Sequence, residues 1–174
     1  MIRIGILSDT HGYLHPRVFD FFAGCDEVWH AGDIGNTAVT ERLKTFKPLR
    51  AVHGNIDDHV IRSEFKEVEL FKVENVRVMI THIAGYPGKL TKSVQQLISV
   101  HQPDLLVAGH SHILKVQFDE RNRLLFINPG AAGIHGFHDS ITLVRLSITD
   151  KSFHDLEVFD IARNSLSDSV DRPQ

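Results

Sequence analysis

The stretch IRIGILSDTHG, residues 2–12, joins a short apolar run to a polar turn. The run IRIGIL is rich in β-branched residues, and its length and composition predict a buried strand. Segments with helical spacing then alternate with two more short apolar runs, at 15–24 (helix), 27–32 (strand), 36–46 (helix) and 49–54 (strand). Strands that alternate with helices predict a largely parallel sheet with helices on its faces.

The second half of the chain is richer in strands. Its predicted elements are 67–73, 76–83, 87–101 (helix), 103–109, 113–119, 123–128, 140–148 and 152–161. The short separations within 67–83 and within 113–128 predict two hairpins. We therefore expect one α/β domain over residues 1–161, with two packed sheets and helices outside them. A polar tail at 162–174 is expected to fray.

Composition excludes several classes of protein. The chain has 174 residues, a formal net charge of −3 and one cysteine, Cys25. A single Cys forms no internal disulfide, and the lack of a basic run predicts no specific nucleic-acid partner. The N-terminus lacks the pattern of a secretory signal, and no apolar run approaches the roughly 20 residues of a membrane span. We expect a cytoplasmic protein without a membrane partner, and a homo-oligomer stays open.

Polar clusters follow five predicted strands at their carboxyl ends. They are SDTHG (8–12), AGDIGN (31–36), HGNIDDH (53–59), THIAG (81–85) and AGHSH (108–112). Ligands of open α/β sheets bind at this edge, outside the carboxyl ends of the strands. The chain also contains 12 His, and neutral imidazole is a common metal ligand. The pattern therefore predicts that the five clusters meet in one site.

Each candidate ligand also has an ordinary structural interpretation. Asp9 and His11 are two residues apart, so in an extended chain both side chains point the same way, but Asp9 could instead cap a helix. Asp33 and Asn55 lie in tight turns, where Asx-turn hydrogen bonding also favours them. His82 ends an apolar strand, where a hydrogen-bonded core His is common.

Taken as a set, the candidates indicate a metal site. His110 and His112 form an H-x-H motif after a buried strand, which is a moderately specific metal signal. The seven candidates are Asp9, His11, Asp33, Asn55, His82, His110 and His112. Oxygen and imidazole ligands without a thiolate suit Mn, Fe, Zn, Ni or Co. Seven ligands exceed the needs of one four-coordinate ion and fit two ions that share a carboxylate.

The order of five short motifs resembles the calcineurin-like metallophosphoesterase superfamily. The motifs are DTH (9–11), GD (32–33), GN (54–55), TH (81–82) and GHSH (109–112). The short length and NPG at 128–130 look most like its small bacterial and archaeal phosphodiesterase branch, which is similar in fold to a retromer scaffold subunit. The resemblance spans roughly residues 1–148. It implies a four-layer αββα sandwich of two mixed sheets flanked by helices.

The resemblance also implies roles for the ligands. A first ion would be held by Asp9, His11, Asp33 and His112, and a second by Asp33, Asn55, His82 and His110. Asp33 would bridge two divalent ions, most naturally Mn, and a metal-bound hydroxide would attack phosphorus in line. The residues nearest to catalysis would be Asp33, Asn55 and His82. The expected enzyme is a metal-dependent phosphoric ester hydrolase with a small phosphodiester as its substrate.

Two motifs depart from the superfamily pattern. The third motif often continues with a His that protonates the leaving oxygen, but this chain has Ile56, which has no proton to give. General acid catalysis contributes about 10²–10⁴-fold, so its absence favours diesters with good leaving groups, aryl diesters above all. In the fourth motif, Ile83 and Ala84 separate His82 from the Gly that usually follows it directly.

Further loop residues are candidates for substrate contact. Asn55, Asp57, His135 and His138 are the predicted substrate-binding residues, and His53 and His59 are further candidates for a replacement acid. His135 and His138 could equally be surface loop residues. Three other functions stay open, namely a catalytically silent scaffold, a nuclease and a phosphomonoesterase. The complete ligand set argues against the scaffold, and the net charge of −3 argues against the nuclease.

Overall fold

The computed structural model describes residues 1–163, which contain twelve strands and four α-helices. The strands are β1 Ile2–Leu7, β2 Glu27–His30, β3 Leu49–Ala51, β4 Val68–Val73, β5 Val76–Thr81, β6 Gly85–Tyr86, β7 Lys89–Leu90, β8 Leu105–Val107, β9 Leu114–Asp119, β10 Leu124–Pro129, β11 Ser140–Thr149 and β12 Ser152–Ala162. The helices are α1 Arg17–Phe22, α2 Thr37–Phe46, α3 His59–Glu64 and α4 Lys92–His101. Most of the predicted tail, residues 164–174, lies outside the described residues.

Ten of these strands form two mixed sheets. The first has the order β12-β11-β1-β2-β3, in which β1, β2 and β3 are parallel and β11 runs antiparallel to β1. The second has the order β4-β5-β8-β10-β9, in which β5, β8 and β10 are parallel and both edge strands are antiparallel. The alternation of strands and helices in the first 54 residues thus produced the parallel strands that were predicted.

Three apolar cores stack the elements into four layers. Between the sheets, Ile4, Ile6 and Trp29 of the first sheet pack with Val78 and Ile80 of the second. The outer face of the first sheet is covered by helices α1, α2 and α3, and that of the second sheet by α4. Because each sheet buries both faces, its central strands are apolar throughout rather than alternating. The predicted αββα sandwich is confirmed.

Local capping sets several element ends. Asn36 accepts a hydrogen bond from Val39 N (3.2 Å), as expected for the N-cap of α2. Helix α3 was not predicted, and it begins after Asp58, whose carboxylate accepts bonds from two backbone N–H groups of the first turn. The helix predicted at 87–101 begins only at Lys92, because residues 85–90 form the small β6–β7 hairpin. Within residues 1–163, no helix is long and apolar enough to cross a membrane.

Candidate metal centre

The first group of candidate ligands gathers at the end of β1. Asp9, His11 and His112 each present a ligand atom within 4.8 Å of the others. His112 Nε2 lies 3.2 Å from Asp9 Oδ1, and the Asp9 side chain is fully buried. The other carboxylate oxygen, Asp9 Oδ2, accepts the backbone N–H of His110 at 3.1 Å. This leaves Asp9 Oδ1 to face the His ligands.

The second group lies at the ends of β2, β5 and β8. It consists of Asp33, His82 and His110. His82 Nδ1 donates to the carbonyl of Ala31 at 2.8 Å, which directs Nε2 toward Asp33 Oδ1 (3.2 Å) and Asn55 Oδ1 (3.1 Å). Asn55 Oδ1 is also 2.9 Å from His110 Nδ1. Asn55 therefore lies against this group, and its role as a metal ligand stays a prediction.

Asp33 lies between the two groups. Its Oδ1 faces His82, whereas its Oδ2 is 3.6 Å from His11 Nε2 of the first group. Burial would raise the pKa of the Asp33 carboxyl, but the hydrogen bond and charge of His82, with the Ile56 N–H, lower that pKa below its usual value. For His82, burial would lower the pKa, but the bond to Asp33 and the charges of Asp9 and Asp33 raise it. The carboxylates of Asp9 and Asp33 thus favour a positive charge between them.

The unsatisfied atoms of the site fit a bound cation. Asp9 Oδ1 and His11 Nε2 are buried and have no hydrogen-bond partner among the described residues. A neutral His82 that donates through Nδ1 presents only a lone pair toward the oxygens of Asp33 and Asn55. Buried acceptors without a donor are costly, and divalent ions bound by imidazole and carboxylate remove that cost.

The backbone of these turns differs from the extended chain assumed for Asp9 and His11. Both residues have left-handed φ angles, 55° and 46°, and so do Asp33 (53°), His110 (68°) and His112 (59°). The assumption was wrong because the chain turns directly after β1, where Asp9 N and His11 N bond to the carbonyls of Gly32 and Asp33. Asp9 and His11 still meet in one group, whereas His110 and His112 belong to different groups.

Two supporting networks were not found from the sequence. In the first, Gly32 N donates to His30 Nδ1 (3.1 Å), His30 Nε2 donates to Thr10 Oγ1 (2.9 Å), and Thr10 donates to the Ile34 carbonyl (2.9 Å). His30 is completely buried, and burial lowers its pKa to about 4. The neutral ring therefore joins the two loops that carry Asp9 and Asp33. Position at the buried end of a strand was the only sequence signal for this role.

In the second network, Asp57 joins the loops after β2 and β3. Its carboxylate is 4 % exposed and accepts the backbone N–H groups of Ile34 (3.2 Å), Gly35 (2.8 Å) and Gly54 (2.7 Å). Arg62 adds a second clamp. Its Nε donates to the Asp57 carbonyl (2.7 Å), and its Nη2 donates to the carbonyls of Gly54 (3.0 Å) and Asn55 (3.1 Å). Contact between Asp57 and a substrate stays a prediction, which this burial disfavours.

The other predicted substrate residues lie around the first group. His135 is exposed, and its ring centroid is 5.8 Å from that of His11. His138 Nδ1 is 3.2 Å from His112 Nδ1, so His138 touches a candidate ligand. Ile56 is 46 % exposed, and its backbone N–H donates to Asp33 Oδ1 (3.1 Å). The backbone of Ile56 therefore contacts a candidate ligand, and its side chain is partly exposed.

A cavity of about 190 Å³ opens beside the second group. Asn55 and His82 form its wall on the ligand side, and His53, Arg62 and Ile83 are among the residues that line the rest. A space of this size, contiguous with the candidate metal ligands, can admit one arm of an ester substrate.

Comparison with known proteins gives the family. The profile described as the calcineurin-like phosphoesterase superfamily domain matches residues 2–151. A probable metallophosphoesterase of Methanothermobacter thermautotrophicus is 30% identical over 146 residues, which are 81% of this chain and 83% of the relative. The phosphodiesterase YfcE of Escherichia coli K12 is 27% identical over 87% of this chain and 95% of its own length.

Solved structures agree on the fold. Vps29 of Chaetomium thermophilum superimposes with a TM-score of 0.75 at 13% identity, covering 92% of this chain and 97% of that chain. An enzyme that hydrolyses phosphoesters with metal ions is the class that the family profile and the two ligand groups support. The motif order predicted this assignment, and the profile match confirms it: the chain belongs to the calcineurin-like phosphoesterase superfamily.

Proposed function

We propose that this protein is a phosphodiesterase that uses two divalent metal ions. The observation that carries the proposal is the position of Asp33, whose two carboxylate oxygens face His11 of one ligand group and His82 of the other. The first ion would be held by Asp9, His11, Asp33 and His112, and the second by Asp33, Asn55, His82 and His110. A shared carboxylate suits a pair of ions about 3.5–4 Å apart.

The bound ions would supply Lewis acidity for the phosphoryl oxygens and an activated water for in-line attack on phosphorus. The oxygen and nitrogen donors suit Mn, Fe, Zn, Ni or Co, and we propose Mn. Asn55 fixes the substrate side of the second group, because its carboxamide adjoins both His82 and the cavity. Burial of Asp9 and His82 keeps both ligands from water in the absence of substrate.

The preference for diesters rests on Ile56. Its backbone N–H contacts Asp33, it occupies the position in the motif where a superfamily His would protonate the leaving oxygen, and a hydrocarbon side chain cannot do so. Esters whose leaving groups depart without a proton are therefore favoured, and aryl diesters are the simplest of these. Relatives named phosphodiesterase, such as that of Escherichia coli, support the same choice.

We further propose a small phosphodiester as the substrate, rather than a nucleic acid. The net charge of −3 provides no general attraction for a polyanion. The cavity beside Asn55 contains both Arg62 and Glu67, so it has no excess of positive side chains for a second phosphate. Cytoplasmic location and self-association stay predictions.

A panel of phosphoesters with Mn, Ni, Mg and Zn tests the proposal. Wild-type protein should hydrolyse aryl phosphodiesters with at least one of these metals, and Asp33→Asn should not. Asp20→Asn, which changes an exposed carboxylate on α1, is the matched control and should retain full activity. Equal turnover by wild type and Asp33→Asn would mean that the proposed site is wrong.

Substitution of Ile56 tests the substrate preference separately. If the missing acid determines substrate choice, Ile56→His should raise monoester turnover relative to diester turnover by as much as about 10²-fold. Ile56→Asn supplies a polar side chain without an acidic proton and is the control. An unchanged ratio in Ile56→His would show that another feature selects the diester.

A further inference from the structure

His138 lies against the candidate ligand His112. The two rings meet edge to face, with centroids 5.0 Å apart, and their Nδ1 atoms are 3.2 Å apart. One of these two nitrogens must carry the hydrogen of that bond. The side chain of His138 also reaches Gly133, whose carbonyl oxygen lies 2.9 Å from His138 Nε2.

These contacts determine where the hydrogens lie. A carbonyl can only accept, so His138 Nε2 carries a hydrogen and donates it to Gly133. In a neutral ring the other nitrogen, Nδ1, is then an acceptor, and His112 must donate through its own Nδ1. His112 Nε2 is left with a free lone pair, and it is this atom that lies 3.2 Å from Asp9 Oδ1.

Gly133, the acceptor of the His138 bond, is itself bound to the first ligand group. Gly133 N donates to the Asp9 carbonyl at 3.0 Å, so the acceptor of the His138 bond is held by the backbone of another candidate ligand. Gly136 covers the two rings at a φ of 115°, and a β-carbon there would lie 2.6 Å from His112 Nδ1. Arg163 fixes the same loop by donating to the carbonyls of Gly136 (2.8 Å) and His138 (3.0 Å).

We infer that His138 is a positioning residue that fixes the tautomer and the orientation of His112, so that Nε2 of His112 binds the first metal ion. The inference rests on the proposed metal assignment of His112. It gives His138 a role in holding a ligand instead of the substrate contact expected from the sequence. Partners that orient a metal-bound His in this way typically change metal affinity by 10–100-fold when removed.

Nitrogen NMR of the imidazole rings tests the tautomer directly. In wild-type protein loaded with diamagnetic Zn²⁺, long-range ¹H–¹⁵N spectra should show His112 protonated at Nδ1 and not at Nε2. Protonation of His112 at Nε2 in the Zn²⁺-loaded protein would overturn the inference. This measurement does not depend on turnover, so a wild type that binds Zn²⁺ but hydrolyses no phosphodiester would contradict the proposed function alone.

Calorimetric titration with Mn²⁺ tests the positioning role. His138→Phe should weaken one of the two binding events by about 10–100-fold, whereas His154→Phe, which changes an exposed His on β12 away from both ligand groups, should match wild type. His138→Gln offers an amide acceptor and a donor, so it should lose less than His138→Phe and serves if that variant does not fold. Equal affinities in His138→Gln, His138→Phe and His154→Phe would refute the role, as would a wild type that binds no Mn²⁺.

Discussion

Asp57→Asn should destabilise the protein strongly although it changes only one atom type. The carboxylate accepts three backbone N–H groups, two at Oδ2 (Ile34 and Gly54) and one at Oδ1 (Gly35). In Asp57→Asn, the amide is best placed with its oxygen at the Oδ2 position, where it keeps the bonds from Ile34 and Gly54. Its NH₂ group then faces the N–H of Gly35, so that two donors meet. Hydrogen bonds to charged groups contribute about 1.5–3 kcal/mol, neutral bonds about 0.5–1.5 kcal/mol, and an unsatisfied buried donor costs about 1–3 kcal/mol.

The expected loss follows from these values. Two bonds lose about 1 kcal/mol each, and the displaced donor adds about 1–2 kcal/mol, so the free energy of unfolding should fall by about 3–4 kcal/mol. That is a large part of the 5–15 kcal/mol typical of a domain. Because the clamp joins the loops of Asp33 and Asn55, the affinity of the second group for Mn²⁺ should fall as well.

The adjacent residue provides a matched control. Asp58 caps α3 by accepting from Val60 N (3.0 Å) and Ile61 N (3.1 Å), and Asn caps a helix about as well as Asp does. Urea unfolding followed by circular dichroism should therefore give a change under about 0.5 kcal/mol for Asp58→Asn. Equal stabilities of Asp57→Asn and Asp58→Asn would refute the assignment of the buried clamp.

Three further predictions concern the supporting residues. The pKa of His30 is about 4 in the folded protein and 6.5 in the unfolded chain. The contribution of the neutral His30 to the free energy of unfolding is therefore fully present above pH 6.5 and falls by about 3 kcal/mol toward pH 4. Urea titrations of metal-free protein should show this loss, and a His30→Gln profile that is no flatter would contradict it. Gly54→Ala should remove one of two Mn²⁺-binding events in calorimetry, because a β-carbon at residue 54 would overlap the Asp33 carboxylate. If both binding events are retained, the close approach of Gly54 to Asp33 is contradicted. Arg62→Ala should weaken one Mn²⁺ site about tenfold, because its guanidinium holds the carbonyls around Asn55; unchanged affinity would exclude that role.

Local patterns predicted most of the fold. The strand IRIGIL is observed at Ile2–Leu7, and the alternation that follows it gave the parallel strands β1, β2 and β3. Helix α3 was missed because its six residues, His59–Glu64, are too few for helical periodicity to stand out. The start of α4 was misplaced because Gly85–Tyr86 pairs with Lys89–Leu90 in the β6–β7 hairpin. That pairing does not follow from the strand propensity of these residues.

The sequence by itself determined the types of candidate ligand and their location at the carboxyl ends of the strands. Asp, Asn and His follow apolar strands, and parallel strands bring their carboxyl ends to one edge, so the gathering of these residues could be predicted. It also determined that Ile56 brings no acidic proton to that edge. Both conclusions depend only on side-chain chemistry and short-range periodicity.

Only the tertiary structure decided how the ligands are held. Asp9 and His112 adopt left-handed turns, and the bonds of Asp57 to the loop of Asp33 and of His138 to His112 join residues that are more than 20 positions apart in the chain. Spacing cannot reveal them, because the direction of a side chain after a strand is set by hydrogen bonds to other loops. Those long-range bonds divide His110 and His112, two residues apart, between the two candidate metal groups.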